Sequence, residues 1–186
     1  MNLKVEETCI KGVLVVKPKL FHDDRGFFLE SFNQRDFIKA AGKKEIKFVQ
    51  DNHSRSSKGV IRGLHYQTEN SQGKLVRVTR GEIFDVVVDL RIKSKTFGKS
   101  FSLSLSETNN FQLWIPEGFA HGFQVVSEYA DVLYKTTDYW NNKYERTLIW
   151  NDPDISIKWP IKNPKVSSKD KNGKFLSELV TNNELN

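Results

Sequence analysis

The stretch Gln50 to Gln67 (QDNHSRSSKGVIRGLHYQ) holds the densest set of groups able to do chemistry. It carries two histidines, His53 and His65, two arginines, Arg55 and Arg62, and the run Gln50-Asp51-Asn52. Histidine titrates near neutral pH and suits proton transfer. Between these groups lies Val60-Ile61, apolar and strand-like. Polar groups this dense on a strand are costly to bury unless they bind something. The competing reading is a solvated sheet face with a turn at Ser56-Ser57-Lys58-Gly59, and residues further along decide against it.

The elements that must position these groups are read from periodicity. Gly12 to Val16 reads as a first strand, ended by Pro18. Asp23-Asp24-Arg25-Gly26 is a turn leading into a strand over Phe27 to Phe32. Asp36 to Ala41 is a short helix stopped at Gly42. Lys47 to Asn52 and Gly59 to Gln67 are strands. Strict alternation puts His65, Gly63 and Ile61 on one face and Arg62 and Leu64 on the other. Arg62 and His65 can share a site only if the strand kinks, and Gly63 is the position for a bulge.

Lys74 to Arg80 and Glu82 to Arg91 read as a hairpin turning at Gly81. Ser100 to Ser106 alternates as a half-exposed strand, and Gln112 to Ile115 follows. The turn from Pro116 to Gly118 then delivers a single histidine, His121, toward the strand Gln124 to Val126. Val132 to Asp138 completes the set, with Val132, Tyr134, Thr136 and Asp138 on one face. About ten short strands and almost no helix point to an all-β sandwich or barrel, specifically a jelly roll with a usable interior and short peripheral helices. The chain, 1–186, reads as one domain with a polar C-terminal tail from about residue 161, where Phe175 to Val180 can form a short helix.

Composition limits the function classes. The net charge is +6, but basic residues are spread and interleaved with acidic ones. That favours a small anionic ligand over nucleic acid. The single cysteine, Cys9, allows no internal disulfide and fits a reducing compartment. No apolar run reaches the roughly 18 residues a membrane span needs, and the N-terminus lacks a signal-peptide core. The expectation is a soluble cytoplasmic protein.

Taken together the motifs resemble the dTDP-4-dehydrorhamnose 3,5-epimerase family of nucleotide-sugar epimerases. The matching stretches include Asp24 to Phe28 with Glu30, Val49 to Ser54, Arg62 to Gln67 and Gln72 to Arg77. Further along are Gly81-Glu82 through Asp89, Thr96-Phe97-Gly98, Leu113 to Pro116 with His121-Gly122-Phe123, Leu133-Tyr134-Lys135, Trp150 to Pro153 and Ser168-Lys169-Asp170. The resemblance implies a cupin-type jelly roll (a double-stranded β-helix), a homodimer, and a dTDP-linked 4-keto-6-deoxy sugar as substrate. It implies His65 as base, Asp170 as the carboxylate that orients it, Tyr134 as acid and Lys74 beside the carbonyl oxygen. It also implies contacts to nucleotide and sugar from Arg25, Glu30, Gln50, Asn52, Arg62, His121, Glu145 and Lys169. An aromatic stacks on the base, with Phe27, Phe28, Tyr139 and Trp140 as candidates; Tyr139 is retained, and Trp140 stands where the family often has a second tyrosine.

The chemistry follows from the sugar. Carbons 3 and 5 flank the 4-keto group, so removing either proton gives an enolate. Epimerisation needs a base on one face, an acid on the other and a stabiliser for the oxygen. There is no net oxidation, so neither NAD nor a metal is required. Taken singly, His65 reads as a structural histidine, Tyr134 as sheet packing and Asp170 as a solvated tail residue; the resemblance reverses these readings. Metal-binding cupins place a second histidine two residues after the first, where this chain has Gln67, so the ligand set is incomplete. The remaining alternatives are an epimerase acting at C3 or C5 alone, a CDP- or GDP-linked substrate, and a non-catalytic sugar-nucleotide-binding jelly roll.

Overall fold

The computed structural model describes residues 2–42 and 45–185. Its strands are β1 (Leu3–Glu7), β2 (Leu14–Pro18), β3 (Leu20–Asp23), β4 (Gly26–Leu29), β5 (Gln50–Ser57), β6 (Val60–Gln67) and β7 (Lys74–Arg80). They continue as β8 (Glu82–Asp89), β9 (Ser100–Ser106), β10 (Gln112–Ile115), β11 (Phe119–Val125), β12 (Tyr129–Thr136), β13 (Glu145–Thr147) and β14 (Lys165–Val166). Three short helices are α1 (Gln34–Ala41), α2 (Ser168–Lys171) and α3 (Leu176–Thr181). One sheet has the order β1-β2-β10-β7-β12-β5; the other runs β13-β6-β11-β8-β9, with β14 paired to β6. This is the all-β jelly roll with peripheral helices that the sequence leads one to expect.

Side chains alternate between two apolar environments, because both sheets are covered on the outside as well. Val76, Val78, Ile83, Val87, Leu113, Phe123 and Val132 fill the space between the sheets. Leu64, Val86, Val88 and Leu90 point outward from the second sheet, where Leu176 and Leu179 of α3 cover them. Leu14, Leu75 and Trp114 point outward from the first sheet, where Phe37 of α1 covers them. The helix α1 starts at Asn33, whose side chain accepts from the Arg35 and Asp36 N–H groups, and stops at Gly42 at φ 63°. Asp152 pins α3 by accepting from the Leu176 N–H at 2.7 Å. No helix among the described residues is long and apolar enough to cross a membrane.

Four expectations need correction. The strand over Gly12 to Val16 is β2, preceded by β1, which pairs with it antiparallel. The strand placed at Lys47 to Asn52 runs instead from Gln50 to Ser57, so only Lys58-Gly59 remain in the turn. The strand placed at Phe27 to Phe32 ends at Leu29. The stretches on either side of Gly81 do not form a hairpin: β7 pairs with β10 and β12, whereas β8 pairs with β11 and β9. Gly81, at φ 74°, is the corner where the chain leaves one sheet for the other. A Cβ there would sit 1.9 Å from the Tyr129 carbonyl oxygen.

The kink at Gly63 is present. His121 faces His65 across the ladder, yet Phe123 faces Arg62, so β6 carries one extra residue between them. Gly63 has φ 116° and lies against β11 so closely that a Cβ would meet the His121 carbonyl oxygen at 2.6 Å. Alternation is reset by the bulge: Leu64 and Tyr66 pack outward, while Arg62, His65 and Gln67 reach the interior cleft. Gly63→Ala should therefore cost about 3 kcal/mol in chemical denaturation. A midpoint unchanged from the parent protein would show that the bulge does not need glycine.

Candidate functional site

Where the sheets part, the interior opens as a cleft of about 370 Å³. The second sheet contributes Arg62 and His65 from β6, His121 from β11 and Glu145 from β13. The first sheet contributes Gln50 and Asn52 from β5, Lys74 from β7 and Tyr134 from β12. His65 and Tyr134 thus face one space from opposite sheets.

His65 Nε2 lies 2.6 Å from Asp170 Oδ1, and Asp170 comes from α2. Burial pushes the Asp170 carboxyl up, but the bonds from His65, the Gly63 N–H and Ser167 outweigh it and hold it below its usual range. An ionised carboxylate can only accept, so Nε2 carries the ring proton and Nδ1 is left with a lone pair. That is the state a base requires. Burial raises the Tyr134 hydroxyl, keeping it protonated as an acid must be. Lys74 is buried at the floor of the cleft, and its Nζ donates to the His65 carbonyl oxygen at 3.3 Å.

Arg62 uses Nε to donate to Ser56 Oγ at 2.8 Å. Its two terminal nitrogens make no hydrogen bond among the described residues. They form a fork suited to phosphate oxygens. Gln50 donates to Asn52 Oδ1 at 2.9 Å, leaving Asn52 Nδ2 and the neighbouring Ser54 Oγ buried without partners. Buried donors of this kind are satisfied when a polar ligand arrives. Lys169 Nζ pairs with Glu145 at 2.6 Å at an adjoining cleft that also touches Arg62, His65 and Asp170.

The structure brings together Gln50, Asn52, Arg62, His65, Lys74, His121, Tyr134 and Glu145, with Asp170 and Lys169 immediately alongside. Three residues lie elsewhere. Arg25 sits on the exposed β3–β4 hairpin, paired with Asp23 at 2.5 Å, and Glu30 follows that hairpin. Tyr139 has an exposed side chain outside the cleft lining. Of the four stacking candidates, Trp140 lines the cleft, whereas Phe27 and Phe28 are exposed on the hairpin. Trp140 is held there by its N–H, which donates to Gln50 Oε1, while Gln67 bonds the backbone on either side of it, at Tyr139 and Asn141.

Sequence reasoning missed Ser54, Gln72 and Phe123 as lining residues and Asp85 as the partner of His121. Alternation does place Asp85 on the face of Ile83 and Val87. An acidic residue on that inward face was the available signal. Each cleft histidine therefore has its own carboxylate, and no group of three or more His, Cys, Asp or Glu side chains among the described residues is arranged to hold a metal ion.

Residues 7–178 match the family model described as dTDP-4-dehydrorhamnose 3,5-epimerase. A dTDP-4-dehydrorhamnose 3,5-epimerase of Pseudomonas aeruginosa is 54% identical over 177 residues, covering 95% of this chain and 97% of that one. The crystal structure of a dTDP-6-deoxy-D-glucose-3,5-epimerase from Legionella pneumophila, in complex with dTDP-4-keto-L-rhamnose, superposes with a TM-score of 0.94. It shares 45% identity over 98% of this chain and 97% of that one. A 3'-monoepimerase from Streptomyces bikiniensis, in complex with dTDP-quinovose, superposes with a TM-score of 0.90. Identity there is 29%, over 96% of this chain and 90% of that one.

Burial lowers the Lys74 ammonium to about 8, against an ordinary value of 10.5, while Glu145 and Asp85 pull it back up. The lysine is therefore a cation at neutral pH that discharges as pH rises through about 8. In protein carrying ¹³C-labelled lysine, one side-chain resonance should titrate there, well below the others, and vanish in Lys74→Gln. All lysines titrating together would remove this cation from the cleft floor.

Proposed function

This chain belongs to the dTDP-4-dehydrorhamnose 3,5-epimerase family, and from that premise we propose that it inverts carbons 3 and 5 of dTDP-4-dehydro-6-deoxy-D-glucose, giving dTDP-4-dehydro-L-rhamnose. The observation that carries this reading is the opposition of His65 and Tyr134 across one cleft, with a buried lysine between the sheets. His65 Nδ1 takes the proton from the carbon beside the ketone, and the C–H electrons move into the enolate. Lys74 stabilises the charge on the oxygen. Tyr134 then delivers its hydroxyl proton to the opposite face of the same carbon, and the configuration inverts. Proton exchange with water returns His65 and Tyr134 to their starting states. Repetition at the other carbon flanking the ketone completes the double inversion.

Arg62 and Lys169 suit the pyrophosphate, and Gln50, Asn52, His121 and Glu145 suit the sugar and nucleoside. Trp140 offers the face for base stacking from within this chain. Arg25, Glu30 and Tyr139 are assigned to the same ligand, with the exposed hairpin serving a second protomer. Support for a homodimer comes from Phe21, Phe27 and Phe28, three large apolar side chains exposed on that hairpin. We place the protein in the cytoplasm on the strength of its one cysteine, an exposed free thiol. The whole chain, including the polar segment from about 161 that supplies Asp170, acts as one domain.

A single-site epimerase is the alternative, since a 3'-monoepimerase shares the fold. The higher identity to 3,5-epimerases favours double inversion. Proton NMR of dTDP-4-keto-6-deoxyglucose in D2O separates these readings. Deuterium should enter at C3 and C5; entry at one carbon makes it a single-site enzyme, and no entry leaves a binding protein. His65→Ala should abolish exchange with the fold intact, while near-parental exchange would remove His65 from the base role.

A further inference from the structure

A second histidine–carboxylate pair lies beside the first, and its carboxylate, Asp85, has no role in the reaction described above. Asp85, on β8, is fully buried, with its oxygens 3.0 and 2.9 Å from His121 Nε2. Its neighbours on the inward face of β8 are Ile83 and Val87 of the apolar core. A carboxylate in such surroundings is costly, and burial pushes its proton affinity up. A histidine needing only to be packed would be served as well by a carbonyl or an amide. The charge at Asp85 therefore calls for a reason beyond packing.

The geometry around His121 supplies one, and the charges around Lys74 agree with it. His121 is the direct cross-strand neighbour of His65 and lines the same cleft. Its Nε2 is held by both Asp85 oxygens, and Nδ1 makes no hydrogen bond among the described residues. Lys74 lies on β7. The groups acting on it are Glu145 of β13 and Asp85 of β8, which favour its charge, and Lys169 of α2, which opposes it. The His65 carbonyl of β6 accepts from its ammonium, and His121 of β11 and Tyr134 of β12 share its cleft.

We propose that Asp85 is a positioning residue for the epimerisation, acting through two neighbours: it fixes the His121 tautomer with Nδ1 presented to the bound sugar, and it is the buried counter-charge that keeps Lys74 cationic beside the ketone oxygen. The inference rests on the epimerase reading of the cleft. Asparagine at position 85 keeps the shape and removes the charge. Its amide can donate to Nε2 and so turn the imidazole into the other tautomer, as an Asp-to-Asn change does in other histidine–carboxylate pairs. Lys74 would at the same time lose one of its two attractive charges.

The test is deuterium incorporation into dTDP-4-keto-6-deoxyglucose by the parent protein, Asp85→Asn and Asp85→Glu across pH. Asp85→Asn should lower kcat by about 10- to 100-fold, the range seen when the carboxylate that orients a metal-ligating histidine is removed. KM should change little, and the alkaline limb of the profile should move to lower pH. Asp85→Glu, which retains the charge, should recover part of the rate. A folded Asp85→Asn with parental kcat and pH profile overturns the proposal, and so does a loss confined to KM. Failure of the epimerase reading looks different, because the parent protein itself would then show no exchange. Should Asp85→Asn not fold, long-range ¹H–¹⁵N correlation on the parent protein decides the matter, with His121 assigned through His121→Gln. Protonated Nε2 with a bare Nδ1 supports the proposal; the Nδ1–H tautomer overturns it.

Discussion

Asp170 divides its two oxygens between the Gly63 N–H, at 3.2 Å, and His65 Nε2, at 2.6 Å. Both partners lie on β6, Gly63 at the bulge that breaks its register and His65 two residues beyond it. A bulge leaves a backbone N–H outside the ladder, and a buried N–H without a partner is costly. Here that N–H is satisfied by the same carboxylate that sets the histidine's tautomer. One side chain thus closes the hydrogen bonding of the bulge and prepares the ring nitrogen opposite. The rest of the cleft depends on this junction, because without the bulge Arg62 and His65 would point to opposite faces of the strand.

The junction also explains why the C-terminal segment is folded onto the second sheet despite its polar composition. β14 pairs with β6 in parallel, and the Ser167 side chain caps α2 by accepting from the Asp170 N–H at 3.1 Å. Asp152 then fixes the start of α3, whose leucines cover the outward face of the second sheet. A covered outer face lets β8 and β11 be apolar there, so that their inner faces are free to carry Asp85 and His121. The outer packing supplies the stability, and the inner face is released to hold polar groups that would otherwise weaken a core.

Much of this arrangement was legible in the sequence. The strands β7 to β10 follow alternation and turn residues, and Gly42 stops α1 as expected, whereas β11 begins at Phe119, well ahead of the strand expected at Gln124 to Val126. The bulge was legible because two chemically matched residues stood at an offset that a regular strand cannot serve. Pairing partners were not legible. Alternation says which residues share a face but not which strand lies beside them, so the corner at Gly81 reads as a hairpin. Composition likewise misses what the tail does, since its few apolar positions, Leu176 and Leu179, are enough to dock it. Asp85 escaped for a similar reason: its importance lies in His121, 36 positions away in the chain.

The electrostatics of the cleft follow from the same layering. Lys74 and Tyr134 stand on one sheet, the two histidines and Asp85 on the other, with Asp170 reaching in from α2, and each sheet is packed against an outer cover. Burial works against the charged forms of three groups, lowering Lys74 and raising Asp85 and Tyr134. For the acid role proposed for Tyr134 that direction is the required one, because it keeps the proton on the hydroxyl. For the enolate-stabilising role proposed for Lys74 it is harmful, because a neutral amine carries no charge to set against the oxygen. The two groups share one desolvated space, so exposure cannot tune them separately. Local charge has to do it: carboxylates near the lysine favour its cation, and His65, the proposed base, keeps its own carboxylate on Nε2 and leaves Nδ1 bare.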